Sequence, residues 1–230
     1  MKQLGNLPGS ERALRGILQD AREAGDIEAQ ARAHHDLGAV LVHMEQTPQA
    51  IEHLYQAFEL YERPAQKYRA LSDLGEGLRR QGRLAAARDA FTVVLRHGKT
   101  EELRASAMIA LLELSAQMRD RVGFTGWKRQ IGAIAGELPA DRQVLFHLQL
   151  GLGCAGFGQM RAAERALHKA AAIAEQHELN EYAFQVEAAL AALKKTSAPN
   201  VVEDVAAVEA ENSEELAEIA GKLQVLSAGY

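Results

Sequence analysis

The chain has 230 residues, 47% hydrophobic and 25% charged, with a formal net charge of −5. That is enough apolar material for one sizeable core or two small ones, and it excludes a disordered chain. No stretch approaches 18 uncharged apolar residues, which excludes a membrane-spanning helix, and net acidity gives no general reason to expect nucleic acid as a partner.

Helix start and stop signals divide the chain in order. Ser10 is placed to cap a helix through about Ala24, ended by Gly25, and Asp26 opens a second through about Glu45. Thr47-Pro48, a hydroxyl followed by proline, predicts a third helix to about Glu62, stopped before Pro64. The next runs from about Ala65 to Gln81 and another from Leu84 to His97, closed by Gly82 and Gly98. Thr100 then caps a helix carrying Glu101 and Glu102 in its first turn, where their charge suits the dipole, and reaching about Met118. Arg119 to Thr125 reads as an irregular piece before a helix from Gly126 to Leu138. Pro139 and Asp141 precede a helix to about Gly156, and two more follow at Met160–Gln176 and Asn180–Lys195. There are 42 alanines, nearly a fifth of the chain, and only 5% aromatics. Alanine favours helix and lets helices approach closely, so an all-α fold of antiparallel helical hairpins is expected.

The helices repeat. Leu37-Gly38, Leu74-Gly75, Ile109-Ala110 and Leu150-Gly151 occupy equivalent places, with a weaker copy ending at Ala188. Their small residues fall 37, 35, 41 and 37 positions apart. In three copies a second signal follows twelve residues after the glycine: Ala50-x3-Leu54, Ala87-x3-Phe91 and Ala163-x3-Leu167. The glycine lets two helices of a hairpin press together, the alanine completes the contact, and the large residue fills the space beside it.

This pattern resembles the tetratricopeptide repeat, W-x2-L-G-x2-Y followed by A-x3-F and P, in a stretched-period form similar to those of bacterial regulators. Leu74-Gly75-x2-Leu78 with Ala87-x3-Phe91 is the best copy; Leu37-Gly38-x2-Leu41 with Ala50-x3-Leu54 and Pro64, and Leu150-Gly151-x2-Cys154 with Ala163-x3-Leu167, are the others. His34, Leu71 and His147 stand where the family has tryptophan, and the copy around Ala110 is degenerate in its second helix. The resemblance covers residues 10–195. It implies a right-handed α–α superhelix whose first helices line a concave groove. Groove positions would be Arg32, His35, Ala39, Val42 and His43 in the first copy, and Arg69, Ser72, Glu76, Arg79 and Arg80 in the second. In the third and fourth copies they would include Arg104, Ala107, Leu111, Leu114 and Ser115, then Leu145, Leu148 and Leu152. Such a groove begins basic and ends apolar. Its expected occupant is a protein segment with acidic and apolar parts, Arg79 and Arg80 holding carboxylates and Leu148 and Leu152 an apolar anchor. The plainer reading makes these arginines a solvated helix face. The clamp that chaperone co-factors of this family use for C-terminal carboxylates needs lysine and asparagine where His35 and Ala39 stand.

Residues 196–230 form an acidic tail with capping boxes at Asn200-x2-Glu203 and Asn212-x2-Glu215, and with apolar stripes Val201, Val205, Val208 and Leu216, Ile219, Leu223, Leu226. It is expected to cap the last repeat, to dock into the basic groove, or to pair with a second copy.

Other chemistry is weakly supported. Gly151-x-Gly153-x2-Gly156 matches a dinucleotide fingerprint but lies within a repeat helix rather than after a strand. His34, His35, His43 and His53 lack the helical spacing of paired metal ligands, so no metal or other cofactor is expected, and a pH-sensitive polar contact suits them better. Cys154 falls where the family has a core aromatic and reads as buried and inert, and Trp127 as core. A single cysteine fits a reducing cytoplasm, and the opening MKQLGNLPGSER has no apolar run of the secretory kind. No nucleophile–base constellation assembles, and no helix has the dense basic face of a DNA reader. The expected function is a non-catalytic adaptor or scaffold binding another protein. The alternative is a peptide or small-ligand sensor that controls the tail or an oligomer.

Overall fold

A computed structural model describes residues 6–196 and 214–229. Among these residues the fold is all-α, with consecutive helices packed as pairs. The helices are α1 (Leu7–Glu23), α2 (Ile27–His43), α3 (Thr47–Leu60), α4 (Pro64–Arg80), α5 (Leu84–His97), α6 (Glu101–Gln117), α7 (Arg121–Ile134), α8 (Ala140–Gly156), α9 (Met160–Gln176), α10 (Asn180–Thr196) and α11 (Glu214–Ala228). A 3₁₀ turn, Ala135–Glu137, follows α7. None of these helices is long and apolar enough to cross a membrane.

The repeat is written in the backbone as well as in the side chains. α2, α4, α6 and α8 each have 17 residues, and their partners α3, α5 and α7 each have 14. Each of the four longer helices ends on the same turn. A residue in the left-handed region (Glu45, Gly82, Arg119 or Gly158) lets the next amide reach back to the helix: Gln46 to the Leu41 carbonyl, Arg83 to Leu78, Asp120 to Ser115 and Gln159 to Cys154, at 2.8–2.9 Å. Glycine pays least for that conformation, yet two of the four turns use a charged residue. The copy around Ala110, degenerate in sequence, therefore keeps the dimensions of its neighbours.

Two helix starts differ from expectation. α1 begins before Ser10, because Asn6 is the cap, its Oδ1 accepting from the Gly9 amide at 3.0 Å, with Pro8 in the first turn. α7 begins at Arg121, within the piece read as irregular; Asp120 caps it by accepting from the Gly123 amide at 2.9 Å. A smaller correction concerns Thr47, which is the first helical residue rather than a cap.

The chain forms two compact units, Met1–Arg104 with Ala207–Tyr230, and Ala105–Ala206. In the first, α1 to α5 pack each on the next. Leu37, Leu41, Leu54, Leu71, Leu74 and Leu78 are fully buried there. In the second, α8 packs against α7, α9 and α10. Ile109 and Leu112 of α6 join Phe124, Ile131, Phe146 and Cys154 in one core cluster, and Val144, Leu148, Leu167 and Val186 form another.

The small-residue anchors lie at the closest approaches. A Cβ on Gly38 would stand 2.5 Å from Leu54 Cγ, one on Gly75 2.9 Å from Phe91 Cζ, and one on Gly151 2.6 Å from Leu167 Cγ. Ala50, Ala87 and Ala163 beside them are fully buried, as are Leu37 and Leu74, while Leu150 is half-buried.

Candidate functional site

The first-helix face of the first unit is formed by α2 and α4, which touch directly. His35 Nε2 lies 2.8 Å from Asp73 Oδ2, and the Tyr61 hydroxyl stands 3.5 Å from the other ring nitrogen. His35 is thus a tie between the two helices more than an open contact. Arg32 and His43 on α2, Arg69 on α4 and Arg104 at the start of α6 are exposed. Arg32 keeps a loose ion pair with Glu28 at 3.8 Å.

Arg79 and Arg80 are less available than expected. Arg79 Nε and Nη2 donate to both Glu76 oxygens at 2.8 and 2.7 Å, and Arg80 Nε donates to Oε1 at 2.8 Å. Burial alone would raise the Glu76 carboxyl, but the two guanidiniums outweigh it and hold it below its usual value. One carboxylate at a groove position therefore neutralises half of the pair. The Arg79 side chain is only 20% exposed, whereas Arg80 keeps 51%. With Asp36 and Asp73 also exposed, the α2–α4 face carries mixed charge rather than a basic stripe.

The apolar end of the expected groove needs a larger correction. Leu148 is 4% exposed, packed among α8, α9 and α10, and offers a partner no surface. Ala107, Leu111, Leu114 and Ser115 are likewise buried. Leu152 remains, 45% exposed, on the rim of a cavity of about 270 Å³ lined also by Glu113, Gln117, Arg119 and Gln149. Gly151, Gly153 and Gly156 all lie inside α8, with no strand before them. Gly151 admits Leu167 and Gly153 admits the Phe124 ring, so two of these glycines serve packing.

The histidines pair with each other. His34 Nδ1 is 2.9 Å from His53 Nδ1, across α2 and α3. Burial, then the neighbouring His53 and Arg22, lowers His34 to about 4. Among the described residues, no group of three or more His, Cys, Asp or Glu side chains is arranged to hold a metal ion. Cys154 is buried, and burial pushes its thiol up against the opposing effect of Lys128 and Arg165. Trp127 is half-buried against the α6–α8 cluster.

The tail supplies a feature that the sequence left open. Val201, Val205, Val208, Asn200 and Asn212 lie outside the described residues, but α11 is docked on α3 and α5. Leu216, Ile219 and Leu223 are buried there, and Arg96 donates to the Ser227 carbonyl at 3.1 Å. Leu226 is 43% exposed. α11 thus covers the second helices of the first unit and does not enter its α2–α4 face. Between α11 and α3 is a cavity of about 350 Å³ lined by His34, Glu52, His53, Tyr55, Glu215 and Lys222. Burial, and the Glu215 carboxyl facing it, raise the Glu52 carboxyl. Lys222 lies 2.8 Å from Glu218 and 5.3 Å over the Tyr55 ring. A sequence signal did exist. α3 is buried at Ile51, Leu54, Tyr55 and Phe58, and α5 at Ala86, Ala90, Val93 and Val94, arcs wider than one hairpin partner covers. Replacing Ile219 and Leu223 with Asp should release α11, since two buried carboxylates cost more than the roughly 2–3 kcal/mol that each apolar side chain contributes. Amide exchange should then show α11 unprotected while α2–α5 keep their protection; a protected α11 in that variant contradicts the docking.

No family model matches the chain, and no curated protein matches it. The chain's own geometry therefore carries the functional reading.

Proposed function

We propose that the chain is a non-catalytic protein-interaction module built of tetratricopeptide-like hairpins, an adaptor or scaffold working in the cytoplasm. The observation that carries this reading is the regular series of 17-residue first helices closed by one kind of turn, with glycine–large-residue contacts at matching places. Within a unit, helices packed in this way present exposed side chains at fixed spacing on one face, which suits recognition of an extended or helical segment. On α2 and α4 that face offers Arg32, His43, Arg69 and the exposed half of Arg80, beside Asp36 and Asp73. A segment with acidic residues answers the first group, and its apolar side chains would have to find cover elsewhere than Leu148. The test is capture of partners by the full chain and by an Arg32→Glu/Arg69→Glu variant. Loss of a specific protein in the variant supports the reading; equal recovery of every captured protein removes the α2–α4 face from it.

The cavity under α11 favours a second reading, a peptide or small-ligand sensor controlling its own tail. It unites ionisable groups from α2, α3 and α11. A sensor should gain thermal stability with a small ligand, whereas an adaptor should not.

A further inference from the structure

The outward face of α7 has a charge pattern that packing does not explain. Its 14 residues include Arg121, Lys128 and Arg129 and no acidic residue. The adjacent Asp120 is engaged as the helix cap. Arg121 rests over the Phe157 ring at 5.1 Å, and among the described residues neither Lys128 nor Arg129 has an ion-pair partner. Val122 beside them is 85% exposed, more than any other large apolar residue described. Two shallow grooves flank the ridge that carries Thr125 and Arg129. One, of about 480 Å³, is lined by Val122 and Gly126; the other, of about 410 Å³, by Lys128, Gly132 and Gln159. Gly126 and Gly132 meet nothing within 4 Å of an added Cβ. Each costs the helix roughly 0.5–1 kcal/mol relative to alanine and gains no internal contact in return. What the glycines do provide is a low wall beside three cations.

We infer that this face of α7 is a docking surface for a short acidic protein segment, its carboxylates meeting Arg121, Lys128 and Arg129 and an aliphatic side chain covering Val122. The inference rests on the protein-binding reading above and names both a second surface and the chemistry of its partner. Charge complementarity selects an acidic ligand, and Val122 selects a protein over a nucleic acid, whose phosphates give an aliphatic group no cover. A chain of net charge −5 with three cations on one short helix is also poorly matched to a long polyanion.

The only tryptophan of the chain, Trp127, is on this helix, half-buried toward the α6–α8 cluster, so its emission follows a change in α7 from the inner side. The full chain is titrated with a synthetic peptide of repeated Glu-Glu-Leu triplets, reading heat and Trp127 emission together. Saturable binding that shifts the emission and weakens with salt is expected. The exposed pair Lys128→Glu/Arg129→Glu should weaken it about tenfold, Lys128→Gln/Arg129→Gln less, and Val122→Ser about fivefold. Unchanged affinity in the charge-reversed variant overturns the inference. So does heparin binding that outcompetes the peptide and ignores Val122→Ser, which would mark a plain polyanion patch. If only Arg32→Glu/Arg69→Glu abolishes peptide binding, the α7 surface falls and the protein-binding reading stands.

Discussion

Gly38→Leu and Gly151→Leu should each cost at least about 3 kcal/mol in urea unfolding, the largest single-site losses expected in this chain. At Gly38 the new side chain meets Leu54 and, at 3.3 Å, the Ala50 carbonyl; at Gly151 it meets Leu167 and, again at 3.3 Å, the Ala163 carbonyl. The leucines are buried and the carbonyls belong to helix backbone, so neither can move aside without opening the hairpin. The alanine variants should lose less, because about 1 kcal/mol of helix propensity offsets the crowding. Gly16→Ala is the control: it lies in α1 with nothing within 4 Å of an added Cβ, and should gain roughly 0.5–1 kcal/mol. Equal effects at Gly38 and Gly16 would mean that the glycines serve no close contact.

His147→Leu should stabilise the chain at pH 7 by about 1 kcal/mol and by about 2–3 kcal/mol more near pH 4.5. His147 is buried, its Nδ1 has no hydrogen-bond partner, and the equivalent place in the second copy is the fully buried Leu71. Burial, aided by Lys169, lowers the imidazole to about 4. Since the unfolded imidazole takes its proton near 6.5, the unfolded chain binds more protons between those values. Stability is then lost as pH falls from about 6.5 to about 4, by about 3 kcal/mol for such a group. His34 behaves in the same way, but its substitution would strand His53, so His147 is the cleaner site. Glu52 works in the opposite sense, because a raised carboxyl lets the folded chain take up its proton first on acidification. Urea midpoints at pH 7 and 4.5 for the wild type and His147→Leu check this, and an unchanged difference between the two proteins at both pH values contradicts it.

Local signals located elements well where they stood alone. α5 and α9 begin and end where their stop residues place them, at Leu84–His97 and Met160–Gln176. They failed where a polar cap preceded apparent breakers. Val122, Gly123 and Thr125 look like a loop until Asp120 is seen to satisfy the first turn. The candidate site was less legible because helical position tells which residues share a face but not what covers it. Leu111, Leu114 and Leu148 fell on groove positions and are buried. The capture of Arg79 and Arg80 was legible, since Glu76 precedes them by three and four residues, the spacing of helical ion pairs. The seat of α11 was marked only by the wide apolar arcs of α3 and α5, because the tail's own amphipathic stripe specifies an apolar partner without naming which one.

The protein-binding account is tested most directly by amide hydrogen exchange of the full chain, free and saturated with the protein it captures. Slower exchange along α2 and α4 on binding, lost in Arg32→Glu/Arg69→Glu, is the predicted result. Exchange in α2 and α4 that is unchanged by the bound partner would contradict it.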